Sequence, residues 1–147
     1  MKIEQQDIEF MKKALGEAKI AEQEGEIPVG AIITCQGKIV ARAHNQTERL
    51  NDVTAHAEIL AITAACNKLG GKYLTDCTIY VTMEPCVMCA GALAWAQIGR
   101  IVYGASDPKR GFARISTPIL HPRTQVISGI LSDECSLIVK DFFTHKR

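Results

Sequence analysis

Two short segments of this chain carry side chains that together can hold a metal ion and use it. One is His56-Ala57-Glu58; the other is Pro85-Cys86-Val87-Met88-Cys89. Cysteines three residues apart share one face of a helix and are close enough to bind a single ion. Near a helix start, unpaired backbone N–H groups favour the thiolate, the form of sulfur that binds metal. His56 is a candidate third ligand. Sulfur and imidazole together select zinc over magnesium or calcium, and three protein ligands leave the fourth tetrahedral position open, as catalytic sites do. Glu58, beside His56 but on another face of an ideal helix, is placed to move protons rather than to ligate. Neither motif is specific alone, since a CxxC pair also marks redox dithiols and half zinc fingers.

The surrounding sequence must bring these segments together. Ile8, Met11, Leu15 and Ala18 recur at helical spacing, with Gly25 closing that segment. Val29–Cys35 and Ile39–Ala41 read as strands joined by a turn at Gln36-Gly37, and Asn45–Thr54 as a polar loop. A second helix is expected from near Thr54, with Ile59, Ile62, Cys66 and Leu69 as its buried stripe and Gly70-Gly71 as its end. Thr78–Val81 reads as a strand, followed by a third helix with Pro85 in its first turn running toward Gly99. Ile101–Tyr103 is another strand, Ala105–Thr124 a long connection, and Val126-Ile127 a short final strand. A last helix is striped by Leu131, Cys135, Ile138 and Phe142, with Lys146-Arg147 past its end, where the helix dipole favours cations. Strand–helix–strand units imply parallel pairing beside an antiparallel hairpin. The expected fold is therefore α/β, a three-layer α-β-α arrangement around a mixed five-stranded sheet. Parallel strands leading into the second and third helices would bring both helix starts to one sheet edge, where ligands bind in such folds.

The chain has 147 residues, 47% hydrophobic and 22% charged, which suits one globular domain over residues 1–147 and excludes disordered or fibrous classes. Its longest apolar stretch, Val87–Ala96, is ten residues and too short to cross a membrane. No export signal is visible at the N-terminus, so the six cysteines are read as reduced thiols in a cytoplasmic protein. Cys35, Cys66, Cys77 and Cys135 fall in apolar patterns and are expected in the core. Residues 1–99 carry 9 Lys/Arg against 12 Asp/Glu, and residues 100–147 carry 8 against 4. A basic C-terminal third points to a polyanionic partner, with Arg110, Arg114 and Arg123 as candidate phosphate contacts.

His-x-Glu followed by Pro-Cys-x-x-Cys matches the signature of zinc-dependent deaminases. The chain resembles the cytidine-deaminase-like superfamily, and within it the bacterial tRNA-specific adenosine deaminases. The likeness extends to Ile27-Pro-Val-Gly-Ala31, Ala43-His-Asn45, Thr54-Ala-His-Ala-Glu58, Tyr80 through Gly91, Arg100-Ile-Val-Tyr-Gly-Ala105, Asp107-Pro-Lys109, and Asp133-Glu-Cys135 to Phe142-Phe143. What the resemblance implies is hydrolytic deamination of the wobble adenosine of a tRNA to inosine. It also implies one zinc per chain on His56, Cys86 and Cys89, with Glu58 as the proton shuttle. By the same resemblance Asn45 hydrogen-bonds the target base, Val29 packs against it, Asp107 and Lys109 meet the anticodon loop, and the chain forms a homodimer. One departure is the short Ile119-Leu-His-Pro-Arg-Thr124 segment, where many relatives carry a longer stretch with an Asn-His pair; His121 there, like His44, also reads as a simple structural residue. Two other readings use the same motifs: a deaminase of free bases or nucleosides, and a structural zinc module closed by a fourth protein ligand.

Overall fold

The computed structural model describes residues 4–145; the Lys146-Arg147 pair lies outside them. The elements are α1 (Gln5–Gln23), β1 (Gly30–Cys35), β2 (Lys38–His44), α2 (Ala57–Leu69), β3 (Cys77–Met83), α3 (Val87–Trp95), β4 (Arg100–Ala105), β5 (Gln125–Ser128) and α4 (Ser132–His145), with one 3-10 turn at Phe112–Arg114. Five strands form one sheet in the order β2-β1-β3-β4-β5. β1 is antiparallel to both β2 and β3, whereas β3, β4 and β5 run parallel. Four strands therefore point one way and β1 alone opposes them. Since β2 leads into α2 and β3 into α3, both helices begin at the same end of the sheet, as the sequence predicts.

Side chains alternate across the strands, giving a core on each face. Ile33, Ile79, Val81 and Ile101 pack under α2 and α3, while Ile32, Tyr80 and Val102 pack under α1 and α4. α1 lies so close to β1 that a Cβ on Gly30 would overlap the Ala14 carbonyl oxygen. Only glycine fits that crossing.

Three local expectations are corrected. The buried face of α2 is Ala57, Glu58, Ala61 and Ala65, not Ile59–Ile62–Cys66–Leu69. Small residues let the helix sit tightly on the sheet, and the bulky stripe is left at its margin. Pro85 precedes the α3 N-cap, Cys86, rather than sitting in the first turn. That helix also ends at Trp95, well before Gly99. Cys77 and Cys135 are buried as expected, and Cys35 and Cys66 are half-buried against the same core.

Candidate active site

The site forms where the carboxyl ends of β2, β3 and β4 meet the starts of α2 and α3. His56 and Cys86 are the N-cap residues of their helices and both have extended backbone, with φ/ψ of −71/154 and −70/172 degrees. This geometry turns their side chains off the helix ends and toward each other. It also frees His56 and Glu58 from the angular separation of an ideal helix, so that both line one cavity of about 560 Å³. Cys89, one turn into α3, is fully buried beneath them.

His56 Nδ1 lies 3.7 Å from Cys86 Sγ and 3.4 Å from Cys89 Sγ. Ligand atoms about 2.0–2.3 Å from a tetrahedral zinc stand about 3.5–3.8 Å apart, so the donors are spaced and typed for such an ion. Among the described residues this is the one His/Cys/Asp/Glu group clustered tightly enough to hold a metal, and it contains no fourth protein donor. The Cys86 thiol is held well below its ordinary value of 9.0. The hydrogen bond with Cys89, with help from His56, lowers it to about 4 against the cost of burial. Cys89 is pushed up by its contact with Cys86 and by burial, and His56 is raised chiefly by its contact with Cys86.

Glu58 is 4% exposed. Burial raises its carboxyl to about 7, with its own backbone amide and the nearby His56 as weaker opposing influences. A carboxyl poised near neutrality beside the His56–Cys86–Cys89 triangle can both take and return a proton.

The family model for MafB19-like deaminases matches residues 5–147. The chain is 45% identical over 143 residues to the tRNA-specific adenosine deaminase of Agrobacterium fabrum, covering 94% of each. It is 43% identical over 147 residues to the enzyme of that name from Bacillus subtilis, covering 97% of this chain and 91% of the relative. A solved structure from work on tRNA:A34 deaminases that edit A to I superposes with a TM-score of 0.84 at 44% identity, covering 88% of this chain and 98% of that one. The chain belongs to the tRNA-specific adenosine deaminase family. It is an enzyme of the α/β deaminase fold.

The cavity of this deaminase is walled by Ile27, Val29, Asn45, Asp107, Lys109 and Arg110, in addition to the metal-binding face. Asn45 is buried, its Nδ2 donating to the Ile27 carbonyl at 3.3 Å and its Oδ1 accepting from the Thr47 N–H at 3.4 Å. Both contacts are long, so the amide is oriented without being fully engaged. Asp107 Oδ1 accepts from the backbone N–H groups of Lys109 and Arg110, each at 3.1 Å, and so closes the turn that carries those two cations. Arg114 and Arg123 do not reach the cavity, and neither does any residue of Ile119–Thr124. His121 accepts from the Arg123 N–H at 3.1 Å, and His44 bridges Glu17 and Glu24 at 3.0 Å each, so both are structural.

Sequence reasoning missed several groups at the site. Val139 and Phe143 of α4 reach the mouth of the cavity, with Phe143 half exposed. Glu26 and Glu84 are buried glutamates whose carboxylates bind loop backbone rather than substrate. Glu26 accepts from the N–H groups of Glu48 and Arg49 at 3.0 and 2.7 Å. Glu84 does the same for Asp107 and Ala113, each at 2.9 Å. The adjacent Pro85-Cys86 drew attention to the metal and away from Glu84.

Proposed function

We propose that this chain, acting as a single catalytic domain, deaminates the wobble adenosine of a tRNA anticodon loop to inosine. The observation that carries this reading is the His56–Cys86–Cys89 triangle opening onto the same cavity as Glu58 and Asn45, in a chain so close in sequence to tRNA-specific adenosine deaminases.

The three side chains would hold one zinc ion. Zinc there would supply Lewis acidity, making water nucleophilic at neutral pH. Asn45 holds the flipped base by its polar edge while Ile27 and Val29 pack on its face. An unpaired loop nucleotide costs least to flip, which favours an anticodon over a duplex. Glu58 takes a proton from the attacking water and delivers it to ring N1 as the new C6–O bond forms. It then passes the second proton to the exocyclic nitrogen, the C6–N bond breaks and ammonia leaves. Asp107 shapes, and Lys109 and Arg110 supply, positive charge at the rim where the RNA backbone must pass.

The homodimer belongs to the same reading. α3 exposes Val87 and Met88 at its start and Trp95, 85% accessible, at its end, and Leu69 at the end of α2 is exposed as well. A surface that apolar suits a second copy of the chain. A one-chain mass by light scattering would reject it. A cytoplasmic setting, in which the six cysteines stay reduced, is part of the same proposal; among the described residues no helix is long and apolar enough to cross a membrane.

The deciding experiment incubates the zinc-loaded protein with an anticodon stem-loop bearing wobble adenosine, beside free adenosine, guanine and cytosine. Inosine in the stem-loop, with stoichiometric ammonia, is the expected result. Release from the free compounds alone would replace this reading with a small-molecule deaminase.

A further inference from the structure

Glu84 occupies a position that the reaction does not explain. It is 6% exposed at the floor of the cavity, two residues before Cys86, yet both of its oxygens are committed to backbone. Oε1 accepts the Asp107 N–H and Oε2 the Ala113 N–H, each at 2.9 Å. One carboxylate thus spans the two ends of the 107–113 loop. Asp107, fixed at its amide, turns its own carboxylate onto the N–H groups of Lys109 and Arg110 at 3.1 Å. The Phe112 N–H adds a bond to the Pro85 carbonyl at 3.0 Å, and Cys86 pairs with Gly111 across the junction. The loop backbone is pressed onto Glu84 so closely that a Cβ on Gly111 would overlap the carboxyl group.

We infer that Glu84 is a positioning residue for RNA recognition: it ties both ends of the loop presenting Lys109 and Arg110 to the segment that carries Cys86, and with the backbone bonds beside it fixes where those cations stand relative to the reacting atom. This rests on the wobble-adenosine reading above. Proton transfer is not its role, because neither oxygen is free to face a substrate. A glutamine in its place keeps the size but offers only one acceptor, so one of the two loop N–H groups loses its bond to a carboxylate oxygen. Without that tie, the two cations meet the RNA less often in the right place.

The test is steady-state kinetics of the zinc-loaded parent, Glu84→Gln and Gly111→Ala on the anticodon stem-loop over a range of salt concentrations. Gly111→Ala attacks the same junction from the loop side with Glu84 intact, which guards against one variant failing to fold. Both variants should lose about tenfold in kcat/KM, carried more by KM than by kcat, the factor expected for one lost hydrogen bond to a charged group. The plot of log kcat/KM against log salt should flatten by about 0.7 for each phosphate that the cations no longer neutralise. Zinc should stay at one per chain. Adding Glu84→Gln to a Lys109→Ala/Arg110→Ala background should cost less than on the parent, because the tie acts through those cations.

Unchanged kinetics in both variants, or loss of zinc or of kcat at constant KM, would overturn the positioning role. A parent that makes no inosine in the stem-loop removes the substrate assignment and this inference with it. An active parent with unaffected variants removes only the inference.

Discussion

Asp7 and Glu58 are both acidic residues buried in the first turn of a helix, 2% and 4% exposed, and the molecule treats them in opposite ways. Asp7 lies at the amino-end pole of the sheet, where Arg100 binds both of its oxygens, at 2.8 and 2.7 Å, and Tyr80 donates a third hydrogen bond at 2.8 Å. The Arg100 hydrogen bond, helped by Glu4 and Tyr80, holds its carboxyl below the usual range despite burial. Glu58 lies at the opposite pole. Among the described residues it makes no ion pair with lysine or arginine, and burial lifts its carboxyl to about 7. The same residue class in the same helical position is thus a fixed anion at one pole and a carboxyl poised near neutrality at the other. Each pole also has a cavity, about 430 Å³ around Asp7 and 560 Å³ around Glu58, so enclosure alone does not separate them. Partner supply does. A carboxylate whose oxygens are saturated by a guanidinium has no reason to exchange protons at neutral pH, and one whose burial outweighs its partners does.

The sharpest way to break the comparison is at Glu58. Glu58→Gln keeps the shape and removes proton transfer, so kcat on the stem-loop should fall by about 10²–10⁴-fold or more. Zinc should remain at one per chain by elemental analysis. The melting temperature should equal or exceed the parent's, because an isolated buried carboxyl has been removed. Retained turnover would mean that the proton travels by another group.

How much of this is legible in the sequence depends on whether a residue's role is local. His56, Cys86 and Cys89 announce themselves by type and spacing, and the strand–helix alternation already implies that their helices begin at one sheet end. The hairpin is readable because Gly37 accepts the positive φ, 78 degrees here, that the turn requires. The face of α2 is not. Hydrophobicity favours Ile59, Ile62, Cys66 and Leu69, but closeness to the sheet favours alanine, and a pattern along one helix cannot register how near its neighbour will be. Asp7 is equally opaque, since its partners Tyr80 and Arg100 stand 73 and 93 residues away. Glu26 and Glu84 bind backbone amides, and any residue has those, so no side-chain pattern marks the loops they hold.

A smaller effect is expected at the other pole. Asp7→Asn leaves Arg100 half-buried without its counter-charge, and should cost about 3 kcal/mol of stability in denaturant unfolding. Turnover per folded molecule should stay the same. The pH profile supplies the sign. Asp7 binds its proton more weakly when folded than its ordinary value of 3.8, so the stability it confers is complete above that value and is lost as pH falls through the lower, folded one. The parent should therefore lose stability steeply in that acid window, and Asp7→Asn should lose less there. Equal slopes would show that the ionisation of Asp7 contributes nothing to the stability of the pole.

The smallest change tests whether the two poles are separable at all. Tyr80 lies in the middle of β3, 3% exposed, its ring 5.2 Å from that of Phe10 and its hydroxyl on Asp7 Oδ1. Burial, and then the neighbouring Asp7, push its phenol up to about 12, so it is a neutral donor throughout the working range. Tyr80→Phe keeps the ring and deletes the bond to Asp7 and the longer one accepted from Arg100 Nη1 at 3.4 Å, while Asp7 Oδ1 retains Arg100 Nη1 at 2.8 Å. No buried acceptor is orphaned, and the cost should be about 1 kcal/mol. Yet β3 is also the strand that leads from Tyr80 through Met83 to Glu84 and Cys86. Any displacement passed along it would reach the metal ligands within six residues. If β3 is held rigidly by β1 and β4 on either side, kcat and KM on the stem-loop will match the parent's while stability drops. A change in turnover larger than about threefold in Tyr80→Phe would show instead that the Asp7 pole helps to set the geometry of the active one.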